Sequence, residues 1–187
     1  MLKQILLGTT VLLGSSIVSA NNFMDANWAK AACDAWNKNA TLTGELSGDT
    51  WVANDKNRGY KIVQMYRTEC GEKTKVQLNI ADKDGKAMCV YGGLPDGKKV
   101  DTGVDYIMHA KDKRWTELGN GDYGPMKAMM FGRLKFSGPK GEAMSVMGPF
   151  GAFLKLAGSV PGDKGKDHCP VVPEAPAAQE KPETQQQ

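Results

Sequence analysis

The stretch from Trp115 to Gly158 limits the possible folds more than any other part of the chain, because it surrounds one short strand with more apolar surface than that strand needs. Trp115–Leu118 closes one helical stretch. Gly124-Pro125-Met126-Lys127-Ala128-Met129-Met130-Phe131-Gly132 predicts a second short helix, with Pro in its first turn and Gly at its end. Arg133-Leu134-Lys135-Phe136-Ser137-Gly138 alternates polar and apolar, as a half-buried strand does. From Pro139 to Gly158, Ala143, Met147, Phe150, Leu154 and Ala157 recur at helical spacing. A surplus of flexible apolar side chains is what a protein needs to enclose a greasy ligand.

Both ends of the 187-residue chain fall outside the fold. Met1–Ala20 carries Lys3, an apolar run from Ile5 to Leu13, and Val18-Ser19-Ala20, which together read as a cleavable secretory signal. The run is short for a membrane span, and no Cys follows the cleavage point to suggest a lipid anchor. Residues 159–187 are rich in Pro, Gly, Glu, Gln and Ala and predict a disordered tail. One domain over residues 21–158 is expected, in a periplasmic or secreted protein. That length suits one hydrophobic core.

Charge excludes little. The chain holds 24 Lys and Arg against 21 Asp and Glu; without one Lys in the leader, and three Lys and five acids in the tail, 20 basic residues face 16 acidic ones. No dense basic run with interleaved aromatics points to nucleic acid. A mild positive excess suits transient contact with an anionic membrane surface.

Four cysteines in an exported chain predict two disulfides, with three possible pairings. None forms a C-x-x-C redox or zinc pattern. Cys70–Cys89 is the favoured pair because it would cross-link the strand region locally. Cys33–Cys169 would then tie the tail root to the first helix.

The N-terminal half supplies a frame. Asp25 caps an Ala-rich helix through Trp36, with Trp28, Ala32, Ala35 and Trp36 on one face. Strands are predicted over residues 60–66, 76–80, 87–91 and 104–108, with Asp82-Lys83-Asp84-Gly85 as a hairpin turn. Helices at the ends of a run of strands give an α+β fold.

The order of pieces resembles the sterol carrier protein 2 family over about Trp28 to Gly158, most strongly from Tyr106 onward. Gly132, Leu134 and Gly138 match the family's Gly-x-Leu-x-x-x-Gly strand. The resemblance implies a twisted, mostly antiparallel five-stranded sheet covered by helices, with an apolar tunnel between them. It also implies carriage of sterols, fatty acids or acyl thioesters without catalytic residues. Pro149 predicts a kink or split in the closing helix. The pocket is then expected between the strands around residues 104–108 and 133–136 and the segments 126–131 and 144–154. Its candidate lining is Tyr106, Met108, Met126, Met129, Met130, Phe131, Leu134, Phe136, Met144, Met147, Phe150, Phe153 and Leu154, with Lys127, Lys135 and Lys155 at the rim.

Other chemistries find less support. Gly119-Asn120-Gly121-Asp122-Tyr123-Gly124 spells G-x-G-x-x-G, but a dinucleotide site needs that motif after a strand, and helix precedes it here. There is no G-x-S-x-G elbow and no H-E-x-x-H, and His109 has no nucleophile to serve. Met126, Met129, Met130, Met144 and Met147 offer an alternative, a periplasmic Met-rich Cu(I) carrier, because soft thioethers select soft metal. The interleaved phenylalanines favour an adaptable apolar lining instead. The expectation is a monomeric, non-enzymatic carrier that needs no cofactor or metal and binds a sterol, hopanoid, fatty acyl or isoprenoid-type lipid.

Overall fold

Asp25 opens the first helix, α1 (Ala26–Asn37), its carboxylate accepting from the Trp28 N–H at 2.7 Å. The computed structural model describes residues 21–49 and 51–172, so the leader expected at residues 1–20 and the tail beyond 172 lie outside the described residues. Trp28, Ala29, Ala32, Cys33 and Trp36 form the buried stripe of α1. A short helix that sequence patterning does not reveal, α2 (Ala40–Glu45), follows at once, capped by Asn39. Its six residues include two Thr and one Gly, so propensity and periodicity carry almost no signal there.

The sheet comprises β1 (Lys61–Arg67), β2 (Val76–Lys83), β3 (Lys86–Gly93), β4 (Tyr106–Ala110) and β5 (Lys135–Ser137). Its spatial order is β3-β2-β1-β4-β5. Three of its pairings are antiparallel, and β1 and β4 run parallel with Val63 opposite Tyr106 and Met65 opposite Met108. The sheet is therefore mixed and open, not a simple meander, because the chain crosses back over β2 and β1 between β3 and β4. The connecting loop of residues 94–104 lies across one face, where Asp96 accepts from Gln77 and Asn79 at 2.9 Å each.

The helices pack on the other face. α3 (Asp112–Asn120) ends at Gly121, which takes the left-handed conformation at φ 75°, so the G-x-G-x-x-G string is a helix end and a link to α4 (Pro125–Met130). The closing segment is two helices, α5 (Lys140–Ser145) and α6 (Met147–Ser159), joined at Val146. The break thus precedes Pro149, which sits in the first turn of α6, where its missing N–H costs nothing. Among the described residues no helix is long and apolar enough to cross a membrane.

Two features correct the sequence reading. The disulfides are Cys33–Cys89 and Cys70–Cys169, not Cys70–Cys89 and Cys33–Cys169. Cys89 lies on edge strand β3, against which α1 packs, while Cys70 lies just past the end of β1 with β2 between them. Nearness along the chain was the wrong guide. The chain also stays packed past residue 158: Val160 is buried, its carbonyl accepts from Trp28 Nε1 at 3.2 Å, and Asp163 pairs with Asn22. Sequence composition groups this stretch with the tail; its structure joins it to the domain.

Candidate functional site

Beneath α5 and α6 the core encloses an apolar cavity of about 30 Å³. Its walls come from α1 (Trp36), the segment after α2 (Leu46, Trp51), the sheet (Val63, Tyr106, Met108, Phe136) and the closing helices (Ala143, Val146, Pro149, Phe150, Phe153). Alternation brings Val63, Tyr106 and Met108 to one face of the sheet, so parallel β1 and β4 supply the floor. Aromatic rings dominate the walls. Trp36 meets Phe153 edge-on at 5.7 Å, and Phe136 bridges Tyr106 and Phe150 at 5.5 and 5.6 Å.

Behind the Trp51 and Tyr106 walls of the cavity lies a polar cluster. Trp51 stacks on Tyr106 with centroids 5.8 Å apart, and its Nε1 donates to the Tyr106 hydroxyl at 3.0 Å. That hydroxyl donates in turn to Glu142 of α5 at very short range. Glu142 also accepts from Asn54 Nδ2 at 2.8 Å and from Lys61 Nζ at 2.8 and 2.7 Å. The Lys61 side chain is 0% exposed, and its ammonium lies 4.5 Å from the Trp51 ring centroid. Burial pushes its pKa below the usual lysine value, against the pull of Glu142. Burial and the Glu142 carboxylate together push the Tyr106 hydroxyl up, so it stays a donor.

The thirteen expected lining residues separate into groups. Tyr106, Met108, Phe136, Phe150 and Phe153 line the inner cavity. Met126, Met129, Met130, Leu134 and Met144 line an outer groove of about 470 Å³ between α4, β5 and α5, which Phe136 also reaches. Phe131 is 66% exposed, Met147 is half-buried beside the core, and Leu154 is buried core that lines neither space. Of the expected rim lysines, Lys135 lines the outer groove, Lys127 is exposed on α4, and Lys155 lies against Gly121 instead. Sequence reasoning missed Trp36, Leu46, Trp51 and Val63, because the surplus of apolar residues in the C-terminal half drew attention from the N-terminal wall. The helical face of Trp28 and Trp36 was the available signal.

The four groove methionines do bring thioethers to one surface. Lys135 and Lys140 line the same groove, and their ammoniums oppose a bound cation while suiting an apolar chain with an acidic end.

Residues 46–151 match the family model described as the SCP-2 sterol transfer family. Among curated proteins none matches this chain. Similar solved structures include a crystal structure of sterol carrier protein 2, 16% identical, covering 74% of this chain and 99% of that one with a TM-score of 0.46. A conserved hypothetical protein from Thermus thermophilus is 18% identical, covers 79% and 98%, and has a TM-score of 0.44. Sterol carrier protein domain 2 of Helicoverpa armigera is 21% identical, covers 78% and 99%, and has a TM-score of 0.37.

Proposed function

This chain belongs to the SCP-2 sterol transfer family, and from that premise we propose that it is a non-enzymatic carrier of a hydrophobic lipid outside the cytoplasm. The observation that carries the reading is the aromatic-walled cavity covered by the closing helices, of which α5 is six residues long and buries only Ala143. Burying a chain of about a dozen carbons at ~0.8 kcal/mol per CH₂ supplies on the order of 10 kcal/mol before binding costs. The cavity of about 30 Å³ is a nucleus for such a site. A chain of that length needs at least roughly 300 Å³, so α5 must move outward and join the cavity to the outer groove, forming the tunnel. Two disulfides favour an oxidising compartment, with a mature chain starting near Asn21.

Exposed Met126, Met130, Phe131 and Met144 give the groove an apolar rim, and exposed Lys127, Lys135 and Lys140 surround it. That mixture suits transient contact with an anionic bilayer, at about 1 kcal/mol per lysine near the surface. The protein acts as a monomer and delivers its lipid unchanged.

Titration of a fluorescent fatty acid tests the reading. The wild type should show saturable uptake of one equivalent. Ala143→Phe, which overfills the cavity from α5, should lose uptake with far-ultraviolet circular dichroism unchanged. Absence of uptake by the wild type would overturn the assignment, and mass spectrometry of an organic extract of the exported protein would identify the natural cargo.

A further inference from the structure

The carboxylate of Glu142 sits in a receptor made for a carboxylate. Three donors from three separate parts of the chain converge on it: Lys61 Nζ from β1, the Tyr106 hydroxyl from β4 and Asn54 Nδ2 from the loop before β1. All three stand on the frame, whereas Glu142 stands on α5, a six-residue helix without a side-chain cap, joined to α6 at the single residue Val146. Helices this short do not hold themselves. Lys61 is wholly buried and sits behind the two rings, Trp51 and Tyr106, that wall the cavity. A buried ammonium needs a counterion, and among the described residues the acid bonded to it belongs to the helix that must move.

We infer that Lys61, with Tyr106 and Asn54, is the headgroup receptor of the cavity, and that its ligand is a single-chain amphiphile with a terminal carboxylate, a fatty acid. The free acid takes the place that Glu142 holds in the closed protein, and its chain runs past Phe136 and Phe150 into the space α5 uncovers. Glu142 is thus an internal mimic of the ligand head. No bond is made or broken; one carboxylate replaces another on the same donors. A neutral head leaves the ammonium unpaired once α5 opens, so alcohols and sterols are selected against.

This inference rests on the lipid-carrier reading, and one pair of ligands separates the two. Calorimetric titration of the full chain with dodecanoic acid and with dodecanol holds chain length constant. The wild type should prefer the acid by about ten-fold or more, as charge-assisted hydrogen bonds dictate. Glu142→Gln removes the internal competitor and should tighten the acid by about ten-fold, and by more than it changes the alcohol. Lys61→Met should erase the preference; if that variant does not fold, the Glu142→Gln result stands alone. Equal affinity for acid and alcohol in the wild type, or weaker acid binding by Glu142→Gln, would overturn the headgroup assignment and leave the carrier intact. Binding of neither ligand would overturn both.

Discussion

Single residues at the two ends of β1 hold opposite sides of the molecule. Lys61 meets Glu142 of α5 at one end; at the other, Arg67 is 0% exposed and donates to both oxygens of Asp112 at 2.7 and 2.6 Å. The same guanidinium reaches the His168 and Gly165 carbonyls at 2.6 Å, so one side chain fastens α3 and the tail root together. Asp112→Asn leaves a buried cation short of its partner and should cost about 3 kcal/mol, the low end for a broken buried pair because Asp112 keeps some contact with water. Urea unfolding would measure it. Burial works to raise the Asp112 pKa, and the Arg67 hydrogen bonds and the Gly165 N–H outweigh it, holding the carboxyl below its ordinary value. A depressed carboxylate adds stability that is full above its unfolded pKa of about 3.9 and fades as pH falls through the folded value. The wild type should therefore lose stability in acid below about pH 4, and Asp112→Asn should lose less over that range.

Between elements, the tightest fit is the crossing of α3 and α6. A Cβ on Gly158 would collide with the Trp115 carbonyl and the Gly119 backbone. Gly158→Ala should therefore cost about 1–3 kcal/mol through overpacking. Gly151, on the same helix, is the control: a Cβ there would meet Pro125 Cδ at an ordinary 3.6 Å. Gly151→Ala should be neutral or stabilising by up to about 1 kcal/mol, since Ala is the better helix former. Thermal unfolding would check both, with a lowered midpoint for Gly158→Ala and an equal or raised one for Gly151→Ala. Elements with strong local signals are those legible in the sequence. α1 had its Asp25 cap and Trp stripe, β2 its clean alternation, and α4 its Pro and Gly ends. The parallel pairing of β1 with β4 was not legible, because no local pattern states which distant strand lies alongside. The same reason hid the disulfide partners and the N-terminal wall of the cavity. Trp36, Trp51 and Lys61 become neighbours of α5 only when the sheet closes against the helices. Met126, Met129, Met130 and Met144 lie close together in sequence, so the sequence groups them into one pocket with Phe150 and Phe153, which the structure divides into an inner cavity and an outer groove.

Across the whole molecule, the cross-links are distributed unevenly. Cys33–Cys89 fastens α1 to β3 across 56 residues of chain, and Cys70–Cys169 fastens the tail root beside β1 across 99. Loop-closure entropy gives each roughly 4–5 kcal/mol at most. Reduction should lower the thermal midpoint markedly, as calorimetry with and without reductant would show. Neither bond touches residues 125–145. There, α4 and α5 are six residues each and have no side-chain cap, and Gly138 precedes α5 at φ 148°. Only Ala143 of α5 is buried, so little apolar contact opposes its opening. The frame is stapled and the cover is not, which is the arrangement a carrier requires if ligand is to enter without unfolding. Amide hydrogen exchange should thus be fast across Lys140–Ser145 and slow in β1 and β2. Addition of dodecanoic acid should slow exchange at α6 and at the Trp51 indole, where the chain packs. Were the α5 amides as protected as those of β1, opening would need global unfolding, and the closing helices could not serve as the door.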